Sequence, residues 1–266
     1  MAEVQPMEQF LIHKVSWAPS FGVTVPGLGY VDLSITNAVL TMMGMAAIVS
    51  VFLLASARGK VVPGRLQALG EILYDLIDKD LVGAMIGDRG RPFLPYVFAL
   101  FSIILVMNTW GIIPGTFTVT SQLAITVTFA LVTFSLVIIV GFVRNGLGFF
   151  KLFVPSGVHW VMLILVVPIE IFSFFARPVT LSMRLFGNMI GGHVVLYMFG
   201  SFIVMMALFA MKGGLAYLGF LGSGASLFMV VALSALELVV AFVQAFVFAA
   251  LACTYLSDVV NLDHGH

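Results

Sequence analysis

The sequence predicts an all-α polytopic membrane protein with about five transmembrane helices, one amphipathic surface helix, and a long tilted hairpin formed by the last two spans. Three observations support this prediction. Of the 266 residues, 61% are hydrophobic and only 9% are charged, with a mean hydropathy of +1.16. Several apolar stretches reach the roughly 20 residues that a spanning helix needs. Basic clusters and uncharged links alternate between these stretches, as the positive-inside rule requires.

Composition also excludes several classes of function. Soluble domains carry about 25% charged residues, so this chain cannot cover itself with a solvated surface. The formal net charge is zero and no basic block appears, which argues against nucleic acid as a partner. The single cysteine, Cys253, excludes an intrachain disulfide and a multi-cysteine metal site. We find no nucleophile–base pair and no metal-ligand cluster, and therefore expect no catalytic residues, no metal and no cofactor.

The chain is predicted to have two parts, a polar N-terminal segment over residues 1–34 and a membrane domain over residues 35–266. The predicted spans are 35–57, 93–114, 119–143, 158–211 and 225–256. Basic residues flank the first three spans on one side, which we assign to the cytoplasm; they are Arg58, Lys60, Arg65, Arg89, Arg91, Arg144 and Lys151. The N-terminal segment then lies outside, and the tail of the chain inside.

Residues 64–87 are predicted to form the amphipathic helix. Apolar residues such as Leu66, Leu69 and Leu73 recur at spacings of three and four, and charged residues lie between them. The segment is too charged to cross a membrane. It either lies on the cytoplasmic membrane surface or packs on a neighbouring subunit, and the two interpretations are compatible.

The stretch 158–211 is too long for an ordinary span. If it is helical throughout it extends about 80 Å, against a hydrocarbon layer of about 30 Å. Pro168 and Pro178 can kink a membrane helix without ending it. We favour one bent, tilted helix; the alternative is two helices separated near Pro178, which would add a span and move the C-terminus to the other side.

Polar residues within this stretch fall on two sides of the helix. At about 100° per residue, one stripe within about 40° of Arg184 holds Glu170, Arg177 and Asn188. His193 falls near the opposite side and should line a different cavity. Ionisable groups inside spans cost at least about 2.5–3.5 kcal/mol each, so they usually face water or a partner. For Arg177, the competing interpretation is a snorkelling side chain or a structural ion pair.

The last helix offers matching polar residues. In an antiparallel hairpin, one register places Gln244 level with Arg184 and Glu237 level with His193. The two levels would lie about 10–14 Å apart along the hairpin. Histidine and a partly buried glutamate are suited to proton relay. The layout is therefore a permanent cation between the proton-conducting pair on one side and Glu170 on the other.

The stretch "RPVTLSMRLFGNMIGGH" closely resembles the signature of subunit a of F-type ATP synthases, the stationary proton-channel subunit. The resemblance extends over most of the chain, through "EILYDLIDKDLVG", "NTWGIIPG" and "LVVAFVQAFVFAALACTYLSD". It implies that Arg184 is the essential arginine facing the carboxylates of the rotating c-ring, with Gln244 beside it. The expected partners are c-ring proteolipids, b-type subunits of the peripheral stalk and membrane lipids.

The same resemblance implies roles for the remaining polar residues. Asn188, His193 and Glu237 correspond to the half-channel from the outer side, and Glu170 to the half-channel on the inside. Arg177 is a candidate support on the cytoplasmic side. Many bacterial members have the acid and the histidine exchanged between these two positions, and the order here resembles alphaproteobacterial and mitochondrial members. We expect a multi-pass protein of the bacterial inner membrane, with the mitochondrial inner membrane as the alternative. The competing function is a self-contained secondary transporter.

Overall fold

The computed structural model describes residues 12–14, 22–25, 29–32, 34–57, 64–113, 116–154, 160–211 and 218–262. Within these residues the protein is an all-α polytopic membrane protein with one small β-hairpin, and five helices are long and apolar enough to cross a membrane. The α-helices are α1 (Asn37–Ser56), α2 (Arg65–Asp75), α3 (Leu94–Gly111), α4 (Leu123–Asn145), α5 (Trp160–Ala210) and α6 (Leu218–Val260). The predicted fold class is confirmed. Most of the N-terminal segment and the basic residues Arg58 and Lys60 lie outside the described residues.

The two longest helices, α5 and α6, form the predicted hairpin. Helix α5 has 51 residues and continues through both Pro168 and Pro178, so it is one helix and not two. At about 1.5 Å per residue it extends about 77 Å, well beyond a hydrocarbon layer of about 30 Å. Toward the end of α5, Met206 faces the first turns of α6.

Helix α6 begins at Leu218, before the predicted start at 225, and its first turns pack against α5 through glycines. A Cβ on Gly219 would lie 2.6 Å from the carbonyl oxygen of Met206, and one on Gly222 would lie 3.4 Å from the Met206 sulfur. Gly219 therefore allows close approach of two helices, a common use of small residues in membranes, and Gly222 is in ordinary contact with the same methionine. In the sequence they resemble a flexible link.

The core lies where α3 and α4 pack against the part of the hairpin that contains the end of α6 and the facing stretch of α5. Helix α6 presents a line of small buried residues to its neighbours at spacings of three and four: Ala241, Ala245, Ala249 and Ala252. Large side chains fill the space beside this line, including Phe101 of α3, Leu185 of α5 and Phe248 of α6, all with no exposed surface. Small residues on one helix and large ones on the others give the close packing that van der Waals contact in a membrane requires.

The amphipathic segment is helical but irregular. Helix α2 continues as a π-helical stretch, Leu76–Gly83, before a 3₁₀ stretch leads into α3. Its apolar side buries Ile77 and Leu81 completely against the core. In the π-helical stretch the position of Gly83 leaves little room for a side chain, since a Cβ there would lie 2.9 Å from the Asp78 carbonyl oxygen. A regular helix was the expectation, and the π-helical stretch is not visible in the hydrophobic period.

The N-terminal segment contains an element that the sequence analysis did not predict. Strands β1 (Gly22–Val25) and β2 (Gly29–Asp32) pair antiparallel, with Val23 opposite Val31. Valine, threonine and tyrosine favour strands, and the connecting residues contain Pro26 and Gly27, which favour turns. The polar character of residues 1–34 concealed this short alternating pattern.

Candidate functional site

Arg184 lies on an exposed stripe of α5. Its neighbours at helical spacing, Thr180, Gly187 and Gly191, are exposed as well. A Cβ on Gly187 or on Gly191 would contact nothing within 4 Å. Within the described part of the chain, the Arg184 guanidinium makes no ion pair and no hydrogen bond. The arginine therefore extends from a surface with no bulky side chains at the neighbouring glycines. A group that pairs with the guanidinium must come from outside the described residues.

Arg177 lies one heptad before Arg184 and has partners within the chain. Its Nη1 donates to Asp258 Oδ2 over 2.7 Å, which links α5 to the end of α6. Its Nη2 lies 3.9 Å from Glu170 Oε1. The guanidinium carbon also lies 4.9 Å from the ring centroid of Tyr255 and 5.6 Å from that of Phe174, within the range of a cation–π contact. Two carboxylates and two aromatic rings thus surround this cation.

Asp258 was missed in the sequence analysis, and so was the contact of Glu170 with Arg177. The predicted span ended at 256, which placed Asp258 in a tail, whereas α6 continues to Val260. A signal was available, because Arg177 and Asp258 are level in nearly the same antiparallel register that pairs His193 with Glu237. Glu170 lies on the predicted stripe, and the structure brings it to Arg177.

His193 and Glu237 form a buried pair behind the exposed stripe. His193 Nδ1 lies 3.8 Å from Glu237 Oε1, and the side chains are only 5% and 8% exposed. Neither carboxylate oxygen of Glu237 has a hydrogen-bond partner among the described residues. Gly192 makes this approach between α5 and α6 feasible, because a Cβ there would lie 2.7 Å from Glu237 Oε1. The structure thus brings these two predicted site residues together.

The Nε2 edge of the His193 ring contacts the connection between α3 and α4. Thr118 Oγ1 lies 3.2 Å from His193 Nε2, and Thr118 is buried. Asn108 of α3 lies nearby in the fold: it is fully buried and its Nδ2 donates to the Ala241 carbonyl, one turn of α6 from Glu237. The sequence analysis missed both residues. Asparagine within the apolar span was a usable signal for Asn108.

A cavity of about 350 Å³ adjoins the buried pair. His193 forms part of its wall, and Tyr197, Ser201 and Ser234 add polar groups to an otherwise mainly apolar lining that includes Gly111 and Val230. The serines and the tyrosine lie on the side of His193 away from Arg184 along the hairpin. The cavity therefore offers space next to the imidazole but not next to the arginine.

The remaining predicted site residues, Gln244 and Asn188, make no hydrogen bond to Arg184, His193 or Glu237 among the described residues. Gln244 is buried on α6, whereas Asn188 is half-buried on α5. No hydrogen bond joins Gln244 to Arg184 in the described ranges, and their being level remains a prediction. No group of three or more histidine, cysteine or acidic side chains that could hold a metal ion occurs among the described residues.

Together, these features define a polytopic α-helical membrane protein with ionisable groups inside its spans, the class that contains ion-translocating proteins. A family model described as ATP synthase A chain matches residues 39–257, well over half of the chain. The chain belongs to this family.

Individual relatives agree with the family match. The chain is 45% identical to ATP synthase subunit a of Rhodopseudomonas palustris strain BisB18, over 98% of this chain and 100% of the relative. It is 44% identical to the protein of the same name from Mesorhizobium japonicum, over 98% of both chains. For the Nitrobacter winogradskyi protein the identity is 42%, over 95% of this chain and 98% of the relative. These alignments span almost the full length of both partners.

Proposed function

We propose that this chain is the stationary proton-conducting subunit of a rotary ATP synthase, with two offset half-channels that open toward a c-ring and are separated by Arg184. Membership of the ATP synthase A chain family supports a role in the proton-translocating membrane sector. The observation that favours the finer mechanism is the exposed Arg184 side chain, which makes no ion pair and no hydrogen bond within the described part of its own chain. The chain itself performs no bond-forming chemistry in this proposal.

A partner with a carboxylate explains the position of Arg184. An isolated charge removed from water costs several kcal/mol, and a carboxylate close to it offsets that cost. The glycines at 187 and 191 have the spacing of a G-x-x-x-G motif, which permits a close helix–helix approach. A ring of proteolipid helices, each with a membrane-embedded carboxylate, would satisfy both requirements as it moves past.

The outer half-channel in this proposal runs through the cavity to His193 and Glu237. Histidine can accept and release a proton near neutral pH, and the adjacent carboxylate provides the next site. A proton that reaches a ring carboxylate neutralises it and lets that carboxylate leave the arginine. After nearly a full rotation, the proton is released toward Glu170, which lies about 21 Å from Arg184 along the helix. Arg184 prevents direct passage between the two paths.

The energetics require several protons for each ATP. A membrane potential supplies about 2.3 kcal/mol per elementary charge per 100 mV, so one proton alone cannot drive the synthesis of ATP in a cell. Rotation of a multi-subunit ring against a stationary chain lets successive small steps accumulate. The proposed partners are therefore c-ring proteolipids, b-type peripheral-stalk subunits that hold the chain still, and the lipids of a bacterial inner membrane.

Cysteine crosslinking tests the proposal directly. In a chain whose natural Cys253 is replaced by alanine, Gly187→Cys should form a disulfide or short-linker crosslink with a small two-helix proteolipid in native membranes. Gly44→Cys is the matched control, because it is also an exposed glycine of an apolar helix with open space around its Cβ. A crosslink at position 187 and none at 44 is the expected result. Equal labelling of both, or proton transport by the purified chain alone, would contradict the proposal and favour a self-contained transporter.

A further inference from the structure

The His193 ring lies between a carboxylate and a hydroxyl that come from different parts of the chain. Its Nδ1 edge faces Glu237 of α6 at 3.8 Å, and its Nε2 edge faces Thr118 Oγ1 at 3.2 Å. Thr118 is 2% exposed and precedes a 3₁₀ turn, Val119–Ser121. The hydroxyl therefore contacts the edge of the imidazole opposite to the proposed proton-transfer partner.

The backbone around Thr118 is held in place locally. The Thr118 carbonyl accepts a 3.3 Å hydrogen bond from the Ser121 amide and a 2.6 Å hydrogen bond from the Ser121 hydroxyl. Thr120 and Ser121 are also buried, at 0% and 3% exposure. A side chain on such a fixed segment can orient another group, because its own position costs little additional ordering.

Gly111 permits the contact between Thr118 and His193. A Cβ at this position would lie 2.8 Å from Thr118 Cγ2 and 3.4 Å from His193 Nε2. A side chain here would push against the methyl group of Thr118, whereas its distance to the imidazole is an ordinary contact. The end of α3 is therefore shaped so that the threonine hydroxyl can reach the imidazole.

We propose that Thr118 is a positioning residue that keeps the Nδ1 edge of His193 turned toward Glu237 while the imidazole gains and loses its proton. A hydroxyl both donates and accepts hydrogen bonds. It can donate to an unprotonated Nε2, which leaves the N–H at Nδ1 on the side of Glu237, and it can accept from Nε2 when the ring is charged. This inference rests on the proposed proton path through His193, and adds a residue to it.

The hydroxyl is the group to test. Thr118→Val keeps the shape and removes the hydroxyl, whereas Thr118→Ser keeps the hydroxyl and removes a methyl group. We expect ATP-driven proton pumping in inverted membrane vesicles to fall roughly three- to tenfold in Thr118→Val, the size expected for one lost hydrogen bond, and to stay within about twofold of the parent in Thr118→Ser. Immunoblots of the membranes verify that equal amounts of the chain are assembled.

Thr126→Val is the matched control. Thr126 is also fully buried, but its hydroxyl donates only to the Leu123 carbonyl of its own helix, 3.0 Å away. This variant should pump within about twofold of the parent. If Thr118→Ser is impaired as strongly as Thr118→Val, or if Thr126→Val is impaired equally, the hydroxyl contact with His193 is not what matters and the inference is wrong.

A spectroscopic measurement separates orientation of the ring from simple packing. In the complete complex labelled with ¹⁵N-histidine, the ring signals that disappear in His193→Gln identify His193, and Thr118→Val should shift them or change the ratio of the two tautomers. Unchanged ring signals in Thr118→Val would overturn the positioning role whatever the pumping rate. Such a failure would leave the proposed function intact, because that function is tested separately by the crosslink at position 187.

Discussion

Arg177 and Arg184 lie seven residues apart on one stripe of α5 and have opposite surroundings. Arg177 is 19% exposed and is held by Asp258, Glu170 and two aromatic rings. Arg184 is exposed and has no ion pair among the described residues. The two arginines lie on the same stripe of an apolar helix. They differ in whether side chains of their own chain compensate the positive charge. The first is a structural link within the hairpin, and the second is available to another molecule.

This difference shows which charges in a membrane chain merit a functional interpretation. A charged side chain with partners in its own chain has its cost offset there, and its presence needs no further explanation. A charged side chain that faces outward from a membrane helix does need one. Sequence periodicity places both arginines on the stripe but does not distinguish them, since the distinguishing partner, Asp258, lies on another helix.

The largest predicted effect is the loss of Arg184. Arg184→Ala should reduce ATP-driven proton pumping in membrane vesicles by at least about a hundredfold, because in the proposed mechanism this cation separates the two paths and no other cation of the described residues lies at this level of the exposed stripe. Arg177→Gln is the comparison variant and should retain at least about a third of the parental rate. Dye-quenching assays on vesicles with equal amounts of assembled chain measure both rates.

Arg184→Lys tests whether positive charge alone is sufficient. Lysine is a compact ammonium that can lose its proton when it is desolvated, whereas arginine stays charged and presents a planar set of donors. We therefore expect Arg184→Lys to be nearly as inactive as Arg184→Ala. Normal pumping by Arg184→Lys, or equal losses in Arg177→Gln and Arg184→Ala, would remove the functional distinction between the two arginines.

The buried pair gives a prediction of intermediate size. Single changes His193→Glu and Glu237→His each place like groups together and should lower proton pumping about tenfold or more. The double exchange restores one imidazole and one carboxylate at two positions whose side chains approach to 3.8 Å in the parent, and should pump several times faster than either single variant. The same vesicle assay measures the four chains. A double variant no faster than the singles would show that the pair does not act as a unit.

The fold class could be predicted because it depends on properties that are local in sequence. Apolar length specifies the spans, and the antiparallel register that places His193 level with Glu237 follows from the spacing of polar residues on the last two helices. The start of α6 could not be predicted in the same way. Gly219 and Gly222 have the composition of a link, and only the contact with Met206 shows that they pack against a neighbouring helix.

The residues of the candidate site also fall into those with a local sequence signal and those recognised only by a distant contact. His193 and Glu237 were found because ionisable residues are rare inside apolar segments. Thr118 was not, since an uncharged threonine in a connection carries no such signal and its contact is with a residue 75 positions away. Asp258 was lost to an error of a few residues in a helix end. In each case the missing information is a contact between segments distant in sequence.

The smallest predicted effect concerns the link between Arg177 and Asp258. Arg177→Gln or Asp258→Asn removes an ion pair whose side chains are 19% and 33% exposed, at a cost of about 1–2 kcal/mol. The midpoint of thermal unfolding of the detergent-solubilised complex should fall by about 2–6 °C. Lys79→Gln is the matched control, because its partner Asp75 lies at a similar distance, 2.6 Å, but the two side chains are 69% and 56% exposed; the midpoint of this variant should not change measurably.

Reversing the pair distinguishes a simple ion pair from the full set of contacts around Arg177. In Arg177→Asp with Asp258→Arg the attraction between α5 and α6 is restored, but an aspartate at 177 lies near Glu170, and the cation–π contacts with Phe174 and Tyr255 are displaced. We therefore expect the reversed chain to recover less than half of the lost midpoint. Full recovery would mean that Asp258 alone compensates Arg177. No recovery, together with an unchanged midpoint in Asp258→Asn, would mean that the rings and Glu170 hold the cation, and the link between the helices would have to be sought elsewhere.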